Sequence, residues 1–382
     1  MSNAMPANLR RLRKLRRLTQ EALADAAGIS RVAYRSIETG VATPRSGTVE
    51  ALARALGSDV FALVASAPRA KMVRFRANKV LTAQERADRE QLVIETMNWL
   101  VDFNELEKRL GERIPAVLPK KSPASIDVAK HAEDVRRKTF KVECRGCLPD
   151  VCDVLEQGGV KVRTAKFGMD GLFGFCIGVE DGGPAIAVNV DDGIPVERMI
   201  FTAAHELGHL VLHQDSFDPC VEKEDAKQEK EATVFASHFL MPDDQFQEEW
   251  SNNRGLHWVD RILKTKRTFR VSWMTVLYRL RDNGDADINT LFKQFQSEYE
   301  RKTGQELSFV KEPDFTNAPA SALRKSQEPA RLTEFDFCED RFERLVRQAL
   351  EADEISVSRA AEMLGKSVAE VRDLLLDWEA HK

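Results

Sequence analysis

Residues 198–213 read RMIFTAAHELGHLVLH, and the rest of the chain is best understood outward from them. Phe201, Ala203, Ala204, Leu207, Leu210, Val211 and Leu212 predict a strongly apolar, largely buried helix over Ile194–His213. His205 and His209 are four residues apart, so both imidazoles leave one face of that helix and can grip one metal ion. Glu206 is not a ligand by position. It stands beside the pair, placed to take a proton from a metal-activated water and pass it to a leaving amine. The bland alternative is an amphipathic helix with two surface histidines. Buried histidines and a buried glutamate need partners, and that favours the metal site.

A third ligand has to come from elsewhere. The extended pattern with a third histidine fails, because position 215 is Asp215, and His213 has rotated off the metal face. Glu229–Met241 reads as a second helix stopped by Pro242. It offers Glu229 and Glu231. Glu231 precedes the apolar stripe Ala232, Phe235, Ala236, Phe239 and Leu240, so it is the expected ligand, with Glu229 in reserve. That makes a two-histidine-plus-glutamate set with water in the fourth position. Upstream, Val160–Phe167, Leu172–Val179 and Ala185–Val190 are short, β-branched and glycine-bounded, as in a small antiparallel sheet. Asp170-Gly171 and Asp181-Gly182-Gly183 are turn signals between them. Ala185–Val190 reads as an edge strand to which an extended peptide could add.

The 198–213 segment, followed by EATVFASHFLMP at 231–242, resembles the ImmA/IrrE metallopeptidases over about residues 125–285. The resemblance implies a zincin-like core, a Zn2+ cofactor, and intracellular, regulated endopeptidases that cut a partner repressor and switch on genes. His238 stands two residues before Leu240-Met-Pro, where the family is usually less polar. It is a candidate for stabilising an oxyanion, with a structural histidine as the alternative.

Toward the N-terminus, LTQEALADAAGISRVAYRSIETG at 18–40, then Pro44 and LARAL at 52–56, resembles the XRE-type, lambda-repressor-like helix-turn-helix domains. Thr19 and Ser30 are plausible N-caps for the helices Gln20–Ala27 and Arg31–Glu38. By analogy Gln20 would hold a phosphate and Arg31–Ile37 would lie in the major groove. Arg31, Tyr34 and Arg35 are the expected exposed contacts, whereas Val32 and Ile37 are expected to pack inside. Arg13, Arg16 and Arg17, with Arg10, Arg11 and Lys14, would add backbone attraction. A protein-docking role for the same fold is the alternative.

Charge supports the DNA reading. The net charge is −4, yet residues 1–80 hold 15 Lys and Arg against 5 Asp and Glu. A basic head on an acidic body suggests a polyanionic partner. No apolar run reaches the length of a membrane span, and six scattered cysteines suit a reduced cytoplasm. Met1–Ala4 look like an expression scar.

The expected fold is α+β and mostly helical. Residues 5–66 form the helix-turn-helix bundle and 67–124 a helical connector, in which Trp99, Leu100, Phe103 and Leu106 make a buried stripe. Residues 125–290 hold the zincin-like core with its small antiparallel sheet, 291–332 a linker, and 333–382 a C-terminal helical module. Ile355–Trp378 also has a helix-turn-helix look but is not basic, which suggests docking or formation of a homodimer.

The cysteines raise a question of latency. Cys144-Arg-Gly-Cys147-Leu-Pro-Asp150 resembles the cysteine-switch segment of matrix metalloproteinase propeptides, which implies a thiolate on the catalytic zinc. Cys147 is favoured over Cys144, with Cys338 as an outsider. Packing of the thiols as small apolar groups, or a separate site of Cys144, Cys147 and Cys152, are the other readings. The function that unites these features is a DNA-responsive zinc endopeptidase acting on a helix-turn-helix repressor in stress or defence. The rivals are a DNA-binding regulator or antitoxin with a non-catalytic peptidase scaffold, and a peptidase that cuts off its own head.

Overall fold

The computed structural model describes residues 5–64 except 17 and 59, 73–75, 83–119, 127–142, 148, 150–214, 225–307 except 283, 285 and 286, 312–313, and 332–380. The chain divides into two compact units. One draws on residues 1–70, 82–113 and 341–382, the other on 71–81 and 114–340. Among the described residues, no helix is long and apolar enough to cross a membrane.

The first unit opens with five short helices, α1 (Met5–Leu15), α2 (Gln20–Ala26), α3 (Arg31–Glu38), α4 (Ser46–Ala55) and α5 (Val60–Val64). Thr19 and Ser30 cap α2 and α3 as their residue types predict, accepting from the amides of Ala22 and Ala33. Leu9, Leu23, Leu52 and Leu63 are fully buried between these helices. Tyr34 joins that core at 0% exposure, whereas Val32 stands 76% exposed, the reverse of the expected arrangement. The reason is angular: Tyr34, Ile37 and Glu38 share one face, and Val32 lies about 200° around the helix from Tyr34.

The same unit contains the long helix α6 (Ala83–Leu110). Phe103 and Leu106 on α6 form a separate core with Phe342, Leu345, Val346 and Ala349 of the helix Arg341–Glu351. Helices Val357–Leu364 and Val368–Ala380 complete it. Phe103 stacks on Phe342 with centroids 5.6 Å apart, and buried Arg341 donates to Glu107 at 2.7 Å. The expected connector thus builds the core that the C-terminal helices share.

The second unit contains the sheet. Its four strands run in the order β1 (Val73–Phe75), β3 (Gly174–Ile177), β4 (Ala185–Asn189), β2 (Lys161–Ala165). Pairing is antiparallel except between β2 and β4, which are parallel, so the sheet is mixed rather than antiparallel. The chain does reverse direction between β2 and β3 and again between β3 and β4. Because β4 then inserts between β3 and β2, it runs alongside β2 in the same sense. Ala185–Asn189 is therefore an interior strand, not the expected edge.

The unit's helices are α7 (Val128–Asp134), α8 (Val151–Gln157), α9 (Val196–Leu212), α10 (Ala226–Leu240), α11 (Asp243–Asn252), α12 (Trp258–Phe269), α13 (Trp273–Asp282) and α14 (Ile288–Thr303), of which α8 and α9 pack on the sheet. Ile186, Val188, Leu207, Phe235 and Phe239 form the centre of this core. Residues 291–303, expected in a linker, are helical and buried on one face. Phe295 is fully buried, and Trp273 stacks on it at 4.7 Å. Cys152 also belongs to this core, where burial pushes its thiol well above its ordinary pKa.

Candidate metal centre

Helices α9 and α10 position the candidate site. Their contacts run in opposite directions along the chain: His205 meets Thr233, and His209 meets Glu229. Where they cross, a Cβ on Gly208 would lie 3.2 Å from both the Cα of Ala232 and the ring of Phe235. A side chain there would push α10 away, so glycine at 208 sets how closely the second helix approaches.

That approach brings a carboxylate onto the histidine pair. The Nε2 atoms of His205 and His209 are 3.1 Å apart. Glu229 places one oxygen 3.2 Å from His205 Nε2 and the other 3.2 Å from His209 Nε2. Both imidazoles are buried, and Glu229 is mostly so. Burial opposes ionisation of Glu229, but the two imidazoles outweigh it and hold its carboxyl far below the usual carboxylate range. Two ring nitrogens and a carboxylate converge here at a spacing that could hold a metal ion.

The expected third ligand is elsewhere. Glu231 Oε2 lies 3.0 Å from Nε2 of His213, and His213 Nδ1 faces Nδ1 of His209 at 3.0 Å. The physical reason is again angular: Glu229 is three and four residues before Ala232 and Thr233, which face α9, while Glu231 is rotated about 200° from Glu229. His205 is held from behind by Thr233, whose Oγ1 lies 3.5 Å from Nδ1. The sequence pattern does not single out Thr233; its position four residues after Glu229 is the one local signal that puts it on the same face.

Glu206 is 2% exposed and lies against β3, where a Cβ on Gly174 would fall 3.4 Å from its Cγ and 2.5 Å from Thr202 Cγ2. His238 belongs to a different cluster. Its Nδ1 is 3.2 Å from Glu133, and its ring accepts from the buried guanidinium of Arg279. Arg279 also donates to Met241 O at 3.2 Å and pairs with Asp243, while Arg136 donates to Phe239 O at 2.8 Å. Two buried guanidinia thus satisfy the terminal carbonyls of α10, and His238 is a member of that cap. Burial and then the Arg279 charge hold His238 below its ordinary pKa. Cys147 and Cys144 lie outside the described residues. Among the described residues no cysteine joins the histidine pair.

Residues 155–281 match the family model of the IrrE N-terminal-like domain, a peptidase family, and residues 9–63 match that of the helix-turn-helix. The chain thus carries a domain similar to the IrrE-type peptidase domain behind an N-terminal helix-turn-helix domain. No curated protein matches it. The peptidase-family span holds His205, Glu206, His209, Glu229 and Gly174 together.

The helix-turn-helix residues separate into two groups. Arg13 donates twice to the buried Glu38, at 3.0 and 2.9 Å, and once to Leu18 O at 2.9 Å. Gln20 also donates to Glu38, and Arg16 donates to Leu56 O at 3.0 Å. These three side chains tie α1, α2, α3 and the end of α4 together. Tyr34 sits inside, its phenol pushed up to about 12 by burial and by the Glu38 carboxylate. Arg31, Val32 and Arg35 remain exposed on α3; Arg17 lies outside the described residues.

Proposed function

We propose that the chain is a cytoplasmic zinc endopeptidase that binds DNA through α3 and cuts a partner repressor bearing its own helix-turn-helix domain. The observation that carries this reading is the convergence of both Glu229 oxygens on the Nε2 atoms of His205 and His209 at 3.2 Å. Zinc, when bound, supplies a Lewis acid that acidifies a water and polarises a carbonyl. His205 and His209 present unprotonated Nε2 atoms because Thr233 and His213 engage their Nδ1 atoms from outside. Glu229 supplies the negative charge that balances the cation. Glu206 takes a proton from the attacking water and delivers it to the leaving amine.

The exposed Arg31 and Arg35 supply the cationic groups for DNA, and Val32 between them offers an apolar contact for a base methyl. The decisive experiment is cleavage of a candidate partner repressor by zinc-loaded protein and by Glu206→Gln. The variant is expected to keep its metal and lose at least about a hundredfold in rate. Cleavage at the wild-type rate would overturn the assigned chemistry.

A further inference from the structure

The first residue of β3 packs against α9, and the chain itself pairs with the outer edge of that strand. Gly174, the first residue of β3, touches Thr202 and Glu206 of α9. One side of β3 is paired with β4, from Gly174 opposite Val188 to Ile177 opposite Ala185. The other side is where an extended peptide would add its main chain next to Glu206. That side is paired with β1, antiparallel, with Val73 opposite Ile177, Arg74 opposite Cys176 and Phe75 opposite Phe175. The C-terminal end of β1 therefore reaches the level of the residue next to Gly174.

We infer that Val73–Phe75 is an internal occupant of the substrate edge: an extended substrate segment must displace it before the chain can cut. This inference rests on the peptidase reading above. Two features support an occupant that can be displaced. The strand has three residues, so its ladder contributes few hydrogen bonds. Its tether to the rest of the chain gives it a millimolar-range effective concentration, enough to exclude a dilute, non-specific peptide. Residue 64 ends the helix-turn-helix bundle and residue 83 opens α6, so the occupant lies in the stretch of chain that joins that bundle to α6.

The test uses the full chain. The probe is a fluorescent peptide copying residues 69–79 (RAKMVRFRANK), with a scrambled peptide of the same composition to measure charge-driven binding. In an antiparallel ladder adjacent residues alternate in pointing their N–H at the neighbour, so a double Arg74→Pro/Phe75→Pro variant removes a ladder donor whichever it is. A second variant, Val73→Gly/Arg74→Ser/Phe75→Gly, weakens the strand without proline. In a Glu206→Gln background, both variants should bind the copied peptide at least tenfold more tightly than the chain with β1 intact, and the scrambled peptide should not distinguish them. Equal affinity for all three chains would overturn the inference. With Glu206 restored and zinc loaded, the β1 variants should cleave the copied peptide at least tenfold faster. Tighter binding with no cleavage by any chain would sink the peptidase reading and leave the occupied edge standing. Self-cleavage of the wild type between residues 71 and 81 would overturn the inference, since the segment would then be a substrate and not a block.

Discussion

His213 Nε2 lies 3.0 Å from Glu231 Oε2, and through His213 this carboxylate reaches His209 indirectly. His213 Nδ1 faces His209 Nδ1 at 3.0 Å, so one of the two must carry the proton. A ligating His209 needs a bare Nε2, which puts its proton on Nδ1 and makes His213 the acceptor. His213 then carries its proton on Nε2 and donates it to Glu231. With His209 as a ligand, this chain of contacts would fix its tautomer and tilt and would place Glu231 behind the centre rather than in it.

Metal content should separate the two glutamates. Glu229→Gln and His205→Ala are expected to abolish stoichiometric zinc, measured by elemental analysis after dialysis. Glu231→Gln should still bind zinc, because Gln can accept from His213 Nε2. Loss of zinc in Glu231→Gln with retention in Glu229→Gln would reassign the third ligand.

His213→Ala should weaken zinc binding by about 10–100-fold without abolishing it, since it removes the acceptor that orients His209. Competition against a chromogenic chelator reads this directly. An unchanged affinity would show that His209 is held well enough by its own helix.

The parts of this site that were legible in the sequence are those that depend on one helix. His205 and His209 meet because four residues make about one turn, and the apolar residues around them dictate burial of α9. The third carboxylate depends on how two helices cross, and that is set by Gly208 against Ala232, a contact between residues far apart in sequence. The same division holds in the sheet. Strands β2 to β4 and the reversals between them follow from β-branched runs and glycine turns, but β1 lies in a stretch that reads as connector, and the gap that β4 enters is a tertiary choice that local pattern does not encode. Arg13 and Gln20 read as phosphate contacts because their partner, Glu38, is distant in sequence and its burial is visible only once α3 has docked.

Arginine substitutions in the helix-turn-helix should therefore have two different outcomes. Arg31→Ala/Arg35→Ala should weaken DNA binding and lower its salt slope by roughly two, one for each phosphate no longer neutralised, with the fold intact. Arg13→Ala should leave Glu38 buried without its cation and cost on the order of 1–3 kcal/mol of stability. Titration of labelled single- and double-stranded DNA at several salt concentrations, beside thermal unfolding, distinguishes the two. A double variant that binds either form like wild type would leave α3 as a docking surface.

A buried triad away from the metal makes the second unit sensitive to pH. Lys266 Nζ lies 2.7 Å from Glu197 and 3.4 Å from Glu312, and the Trp273 amide donates to Glu312 at 3.3 Å. Burial raises the Glu312 carboxyl from its ordinary 4.5 to about 7, with Lys266 opposing the rise and Glu197 adding to it. A folded pKa above the unfolded one means that the folded state prefers the proton. The resulting stabilisation is complete below about pH 4.5 and is lost as pH rises through about 7. Its size is on the order of 1–3 kcal/mol. Glu312→Gln stays neutral throughout and keeps a partner for the Trp273 amide. Relative to that variant, the wild type should lose stability between pH 5 and pH 8, while titrations shared by both proteins cancel in the difference. Chemical denaturation at the two pH values measures it. A wild-type-minus-variant difference that does not change with pH would show that Glu312 is ionised throughout, with Lys266 as its counterion.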